Sequence, residues 1–269
     1  MSADIRLGCQ GWNHAAWVGP FYPARTRASN FLTVYARGFD TVEVDSTFYA
    51  TPAVQTVRGW ASRVPDHFRF ALKLPQEITH ENRLRRSEAQ TARFFDVARE
   101  LGPKLGPVLI QLGPDFGPSE LPALAAFLPV LPTDIHVAVE FGQRAWLNDG
   151  VLALLAEHRV ALALVDARFI PRSAMLTLAD RPTADFAYLR WMGPDRDIAD
   201  DSRVQHDRTR ELDAWRTVIP AIAARVRTVY GYVNNLFSGH APEDVRALQR
   251  QLGQVAVDPA QLGEQLRLF

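Results

Sequence analysis

Eight short apolar or β-branched runs, separated by stretches with helical spacing, constrain this chain more than any other feature of its sequence. The runs cover residues 5–8, 41–44, 68–72, 108–112, 136–139, 161–165, 186–189 and 229–233. Between them apolar residues recur three or four apart, as in Phe31, Val34 and Tyr35, Val54, Val57 and Trp60, or Leu212, Trp215 and Ile219. A strand covered on both faces reads as an unbroken apolar run, and the helix covering it reads at the helical period. Strand then helix, eight times over about 230 residues, is the pattern of a single-domain (β/α)8 TIM-like barrel. The stretch 168–185 is weakly helical and holds two prolines, so one barrel helix is expected to be short there. An open doubly wound sheet would need a glycine-rich phosphate turn after its first strand, and Gly8, Cys9, Gln10, Gly11 and Trp12 do not supply one.

Each run ends in polar residues: Cys9 and Gln10, Glu43 and Asp45, Lys73, Gln111, Glu140, Asp166, Arg190, and Asn234 with Asn235. In a barrel these ends converge on one face, where catalytic groups sit. Glu43 lies inside an apolar run, and a buried carboxylate must find a partner or change its pKa. The spacing predicts a pocket in which Glu43, Glu140 and Asp166 meet Lys73 and Arg190, with Glu43 paired to Lys73 of the next strand. That balance of charge suits hydrogen-bonded recognition of an anionic substrate more than a bare metal cage.

With 269 residues, 47% hydrophobic and 22% charged, the chain has ample core without staples. Thirty basic and thirty acidic residues cancel, so the total charge calls for no polyanion partner. Cys9 is the single cysteine, which excludes an internal disulfide. The start of the chain has no signal-peptide pattern, and no apolar run approaches the roughly 20 residues of a membrane helix. A soluble cytoplasmic protein with no membrane partner is the expectation.

The segments GCQGWNHAAWVGPFYP, VEVDSTFYATP, FALKLPQEITH, LGPVLIQLGP and YVNNLFSGHAPED resemble the bacterial YecE-like family, known as domain of unknown function 72. The resemblance covers nearly the whole chain. It implies a (β/α)8 barrel and leaves the activity unassigned. Carried over by position, the family-like residues are Gly11, Trp12, Glu43, Thr47, Phe48, Tyr49, Lys73, Thr79, His80, Gln111, Glu140, Trp146, Asp166, Arg190, Asn234 and Asn235. The chain departs from the family pattern where Gly142 and Gln143 replace Arg-His, where Met192 replaces a histidine, at Asp45 for asparagine and at Cys9 for threonine. Two imidazoles are therefore missing from the pocket that the resemblance implies.

Those losses bear on metals. A multi-metal phosphoesterase site needs several histidines and carboxylates together, and here only His80, with His14 and His240, could reach the mouth, so a transition metal is not expected. A single Mg²⁺ on Glu43, Glu140 or Asp166 suits the oxygen ligands better. The run Asp195, Asp197, Asp200 and Asp201 lacks the glycine and terminal glutamate of an EF-hand and reads as a solvated loop. Trp12 and Tyr49 belong to an aromatic set near the strand ends that could pack the mouth or stack a sugar or base. Together with His80, Gln111, Asn234 and Asn235 they are the candidate substrate-binding residues.

After Leu252 the composition loosens, so residues 1–252 are read as the barrel and 253–269 as linker and tail. The last five residues are Gln265, Leu266, Arg267, Leu268 and Phe269. They resemble the bacterial sliding-clamp-binding pentapeptide Q-L-x-L-F, whose four fixed positions arise by chance roughly once in 10⁵ windows. The competing structural reading is a terminal helix laying Leu262, Leu266 and Phe269 on the barrel.

Three functions follow. The first is an enzyme, a phosphoester hydrolase in kind, acting on a phosphorylated small molecule or nucleic acid and recruited to DNA by its tail. The second is a non-catalytic ligand or nucleic-acid binding module. The third is a carbohydrate-active enzyme with two carboxylates flanking the bond.

Overall fold

The structure is a computed structural model that describes residues 3–194 and 198–267, with side chains described to residue 263. Among the described residues eight strands alternate with eight α-helices. The strands are β1 Asp4–Cys9, β2 Thr41–Val44, β3 Arg69–Lys73, β4 Leu105–Gln111, β5 Val137–Glu140, β6 Ala161–Ala167, β7 Phe186–Gly193 and β8 Thr228–Val233. The helices are α1 Phe31–Gly38, α2 Val54–Ala61, α3 Glu88–Ala98, α4 Leu121–Phe127, α5 Asp149–Glu157, α6 Arg172–Leu176, α7 Thr209–Ala223 and α8 Ala241–Gln251. All seven ladders are parallel, in the order β1-β8-β7-β6-β5-β4-β3-β2. The expected (β/α)8 barrel is the observed one.

The barrel closes where β1 meets β2, through one parallel bridge between Gln10 and Glu43. Gly11 N–H donates to the Glu43 carbonyl at 2.8 Å just above it. Below, the Tyr35 hydroxyl reaches in from α1, accepting from Cys9 N–H at 2.7 Å and donating to the Thr41 carbonyl at 3.0 Å. One phenol thus satisfies backbone groups that the incomplete ladder leaves open. Gly8 is required here, since a Cβ would stand 2.1 Å from the Thr41 oxygen.

Helix spacing explains the outer layer. On α7, Leu212, Trp215, Ile219 and Ile222 are buried at positions that share one face. On α5, Asn148 caps the first turn, its side chain accepting from Val151 N–H at 3.1 Å. Helix α6 has only 5 residues and directly follows Pro171, in line with the weak helical pattern of that stretch. Beyond α8, Gln254 donates to the Ile5 carbonyl at 2.7 Å, and Leu262 is buried, with Arg37 donating to its carbonyl at 3.2 Å. A 3-10 helix, Pro259–Arg267, carries this segment along α1. Among the described residues no helix is long and apolar enough to cross a membrane.

Candidate functional site

Inside the barrel tyrosine and threonine lie beneath a charged layer at the carboxyl ends of the strands, while Arg6 and Arg69 stand near Tyr230 at the other end. Thr41 Oγ1 and the Tyr232 hydroxyl lie 2.9 Å apart. Above them, Tyr188 donates to Glu43 Oε2 at 2.6 Å. Arg190, two residues further along β7 and so on the same face, holds Glu43 with two bonds, Nε to Oε2 at 3.0 Å and Nη2 to Oε1 at 2.8 Å. Its third nitrogen, Nη1, donates to Glu140 Oε2, and Gln111 Nε2 donates to Glu140 Oε1 at 3.0 Å. Two carboxylates share one guanidinium, and all three residues are at most 2% exposed.

Burial by itself would lower the Arg190 guanidinium, but Glu140 and Glu43 outweigh it and hold the group well above its ordinary value. Burial, followed by the adjacent Glu43 charge, pushes the Tyr188 phenol far up, so it stays a donor. Each Glu43 and Glu140 oxygen and each Arg190 nitrogen in this layer therefore has a partner. Taking ions out of water costs several kcal/mol each, and only such complete pairing makes that tolerable.

Lys73 and Asp45 form a second, different pair. Lys73 ends β3, and its Nζ lies 3.3 Å from Asp45 Oδ1 and 4.6 Å above the Phe48 ring. Asp45 opens a 3-10 helix, Asp45–Phe48, whose Thr47 hydroxyl accepts from Lys73 N–H at 2.8 Å and so clasps the two strand ends together. The Asp45 side chain is 37% exposed. Burial of the rest of the group, with Glu43 adding to it, pushes its carboxyl above the ordinary value, while Lys73 and Arg190 pull it back. His80 stands edge-on to Phe48, with its ring held 2.8 Å from the Thr79 hydroxyl in a π-helical turn, Glu77–Glu81. Burial lowers the His80 imidazolium below its ordinary value, and Lys73 and Arg83 add to that against Asp115.

Several expected placements differ. Glu43 is paired with Arg190 and Tyr188, not with Lys73, because the barrel interior brings β2 opposite β7 while Lys73 sits one step higher and meets Asp45. Asp166 does not join the pocket. Its register partner on β7 is Trp191, which packs outward on Trp215 of α7, and Asp166 points the same way. There it accepts from Trp215 Nε1 at 2.7 Å and from Arg172 Nη2 at 3.2 Å. Arg190 is fully buried against Glu43 and Glu140 and so is not open to an anion from solvent. Trp12 is half-buried and packs edge-on against Trp60 and Phe70 at 5.7 and 6.2 Å. The oxygens of Glu43, Glu140 and Asp166 proposed for Mg²⁺ are taken by guanidinium, amide, phenol and indole donors. Among the described residues no three His, Cys, Asp or Glu side chains could hold a metal ion together.

Other candidates do reach the mouth. Gln111 anchors Glu140 from β4, and Asn234 donates to Gln10 Oε1 at 2.8 Å while Gln10 Nε2 points at Met192 Sδ, 3.0 Å away. Tyr49 is 72% exposed on the β2 loop. Asn235 bonds to His14 at 3.2 Å. Gln265 and Leu266 fall in the terminal 3-10 helix, their side chains undescribed, and Leu268 and Phe269 lie outside the described residues, as do Asp195 and Asp197. The residues that sequence reasoning missed are Tyr188, Arg172 and Trp215. Tyr188 could have been found, since it precedes Arg190 by two positions and so shares its strand face. A depression of about 830 Å³ lies at the opposite end, around Ile135, His136 and Asp185 at the strand starts. It lacks the paired carboxylates of the mouth.

A closed parallel barrel with a paired ionic layer beneath a nearly buried Lys73 and a partly exposed Asp45 defines a (β/α)8-barrel protein with a polar C-terminal mouth. The chain belongs to the family described as protein of unknown function DUF72, whose model matches residues 6–265. It is 36% identical over 136 residues to the UPF0759 protein YecE of Escherichia coli, an alignment covering 51% of this chain and 47% of that protein, so the chain spans about half the length of that relative. It is 23% identical over 261 residues to the UPF0759 protein YunF of Bacillus subtilis, covering 89% of this chain and 92% of that one. A solved DUF72 family protein from Thermotoga maritima superimposes with a TM-score of 0.78 at 22% identity, over 93% of this chain and 100% of the other, which establishes the shared fold.

Proposed function

We propose that this barrel is an enzyme acting on a phosphorylated substrate at its C-terminal mouth, with Lys73 as the anion anchor and Asp45 as the proton-transfer group. The observation that carries the reading is the unequal use of the two cations. Arg190 is fully buried and holds two carboxylates with three of its five N–H donors, whereas among the described residues Lys73 Nζ, with three N–H donors, has one carboxylate partner, the partly exposed Asp45, at 3.3 Å. An ammonium over an aromatic ring with donors to spare suits a phosphate oxygen. A carboxyl whose affinity for its proton is raised, open to water beside that anchor, suits general acid-base work. The buried layer below supplies a fixed field: its Glu43 charge helps raise Asp45, and its rigidity keeps Lys73 in place. Should the chemistry use Mg²⁺, Asp45 is the water-facing carboxylate that could take it. Titration of inorganic phosphate into the protein tests the anchor: Lys73→Met should weaken binding at least about 10-fold, and unchanged binding would overturn the reading.

A specific sequence observation favours a partner as well. The pentapeptide from Gln265 to Phe269 matches the clamp-binding form at all four fixed positions, and the chain is anchored on α1 as far as Leu262. Peptide docking of its Leu and Phe side chains into an apolar pocket would bring the barrel to a bacterial sliding clamp. Deleting residues 265–269 should abolish co-elution with a purified clamp and leave the melting temperature unchanged; co-elution that survives the deletion sinks the proposal.

A further inference from the structure

Two strands from Lys73, the loop after β1 holds a histidine whose tautomer can be read from its neighbours. His14 stacks on the buried Trp17 ring with centroids 4.4 Å apart. Asn235, 6% exposed at the top of β8, accepts from Ala241 N–H through Oδ1 at 3.0 Å. That bond fixes which end of the amide faces the ring: Nδ2 stands 3.2 Å from His14 Nδ1. In a neutral imidazole facing an N–H donor, Nδ1 must be the acceptor, so the proton resides on Nε2. Asp201 Oδ2 also approaches Nδ1, at 3.3 Å, and would prefer a proton there. Its side chain is 33% exposed and can turn to water, whereas Asn235 is buried and tied to α8, so Asn235 decides.

Nε2 has no hydrogen-bond partner among the described residues, and the His14 side chain is 29% exposed. It lies over Gly11, 3.2 Å from where a Cβ would stand, and the φ of +82° at Gly11 favours the residue that leaves that nitrogen bare. Beside it, among the described residues, Gln10 Nε2 has as partner the Met192 thioether, a weak acceptor, at 3.0 Å. We propose that His14 is a substrate-binding residue of the mouth, an imidazole oriented by Asn235 that presents Nε2–H to an oxygen of a phosphorylated ligand, with Gln10 as a second donor. This rests on the Lys73 reading above, and extends it from a single anchor to a second contact on an oxygen-rich ligand.

The test uses the full chain labelled with ¹⁵N at histidine and lysine, with pyrophosphate as the probe. Without probe, His14 should show the Nε2–H tautomer; with it, His14 Nε2 and Lys73 Nζ should shift along one saturating curve. Asn235→Asp keeps an acceptor for Ala241 N–H but removes the donor, so it should turn the tautomer to Nδ1–H and weaken pyrophosphate binding. His14→Gln should weaken binding about 10-fold. An Nδ1–H tautomer in the unaltered protein, or a probe that moves Lys73 and leaves His14 still, overturns this inference while sparing the Lys73 anchor. A probe that moves neither overturns both.

Discussion

Glu43 and Asp45 stand two residues apart at the end of β2, each facing a cation, and the barrel treats the two pairs in opposite ways. Glu43 meets Arg190 with both oxygens engaged and no exposure, whereas Asp45 meets Lys73 through one 3.3 Å contact with its side chain 37% exposed. A step of two residues carries the chain from core to mouth. Charge in a barrel strand is thus not one kind of signal: below the rim it must be neutralised completely, and at the rim it can be left with capacity for a ligand.

The contrast breaks most readily at Arg190. Arg190→Met leaves Glu43 and Glu140 buried without their counter-charge and should cost about 3–5 kcal/mol, read as a fall in the urea midpoint; a loss under about 1 kcal/mol would mean the layer is not the scaffold described. Tyr188→Phe removes one donor from a carboxylate that keeps Arg190, so a smaller loss, about 1–3 kcal/mol, is expected in the same unfolding assay. Lys73→Met should cost about 1 kcal/mol or less because an apolar chain replaces a nearly buried ammonium and the partner Asp45 is partly solvated, while removing phosphate binding. The smallest effect belongs to Asp45→Asn and lies in pH. The Asp45 carboxyl is raised in the folded chain, so the folded state holds that proton to higher pH than the unfolded state, and stability falls as pH rises through the window above the ordinary aspartate value. Asparagine removes that slope, and melting curves at stepped pH would show it flattening; an unchanged slope would place the titration elsewhere.

The fold was legible because parallel barrel strands and their covering helices leave two distinct periodicities in the sequence, and the strand ends could be aligned from the same runs. The pairing inside was not. Glu43 and Arg190 are 147 positions apart, and adjacency in sequence pointed to Lys73 on the neighbouring strand instead. Asp166 was misplaced for a related reason: β6 is buried on both faces, so ALALVDA carries no alternation to tell inward from outward. Only the register with Trp191 shows that its carboxylate faces α7. Asp45 was visible as a departure from the family pattern, yet nothing short of the geometry shows that it, and not Glu43, is the carboxylate that Lys73 meets.

The central claim is that the Lys73-Asp45 pair meets the ligand while the layer of Glu43, Arg190 and Glu140 supports it from below. Calorimetric titration of inorganic phosphate into Lys73→Met and Glu140→Gln, each compared with its own unfolding curve, tests this most directly. The account predicts that Lys73→Met keeps its stability and loses phosphate, and that Glu140→Gln loses stability yet binds phosphate while folded. Phosphate bound normally by Lys73→Met and lost from folded Glu140→Gln would contradict it.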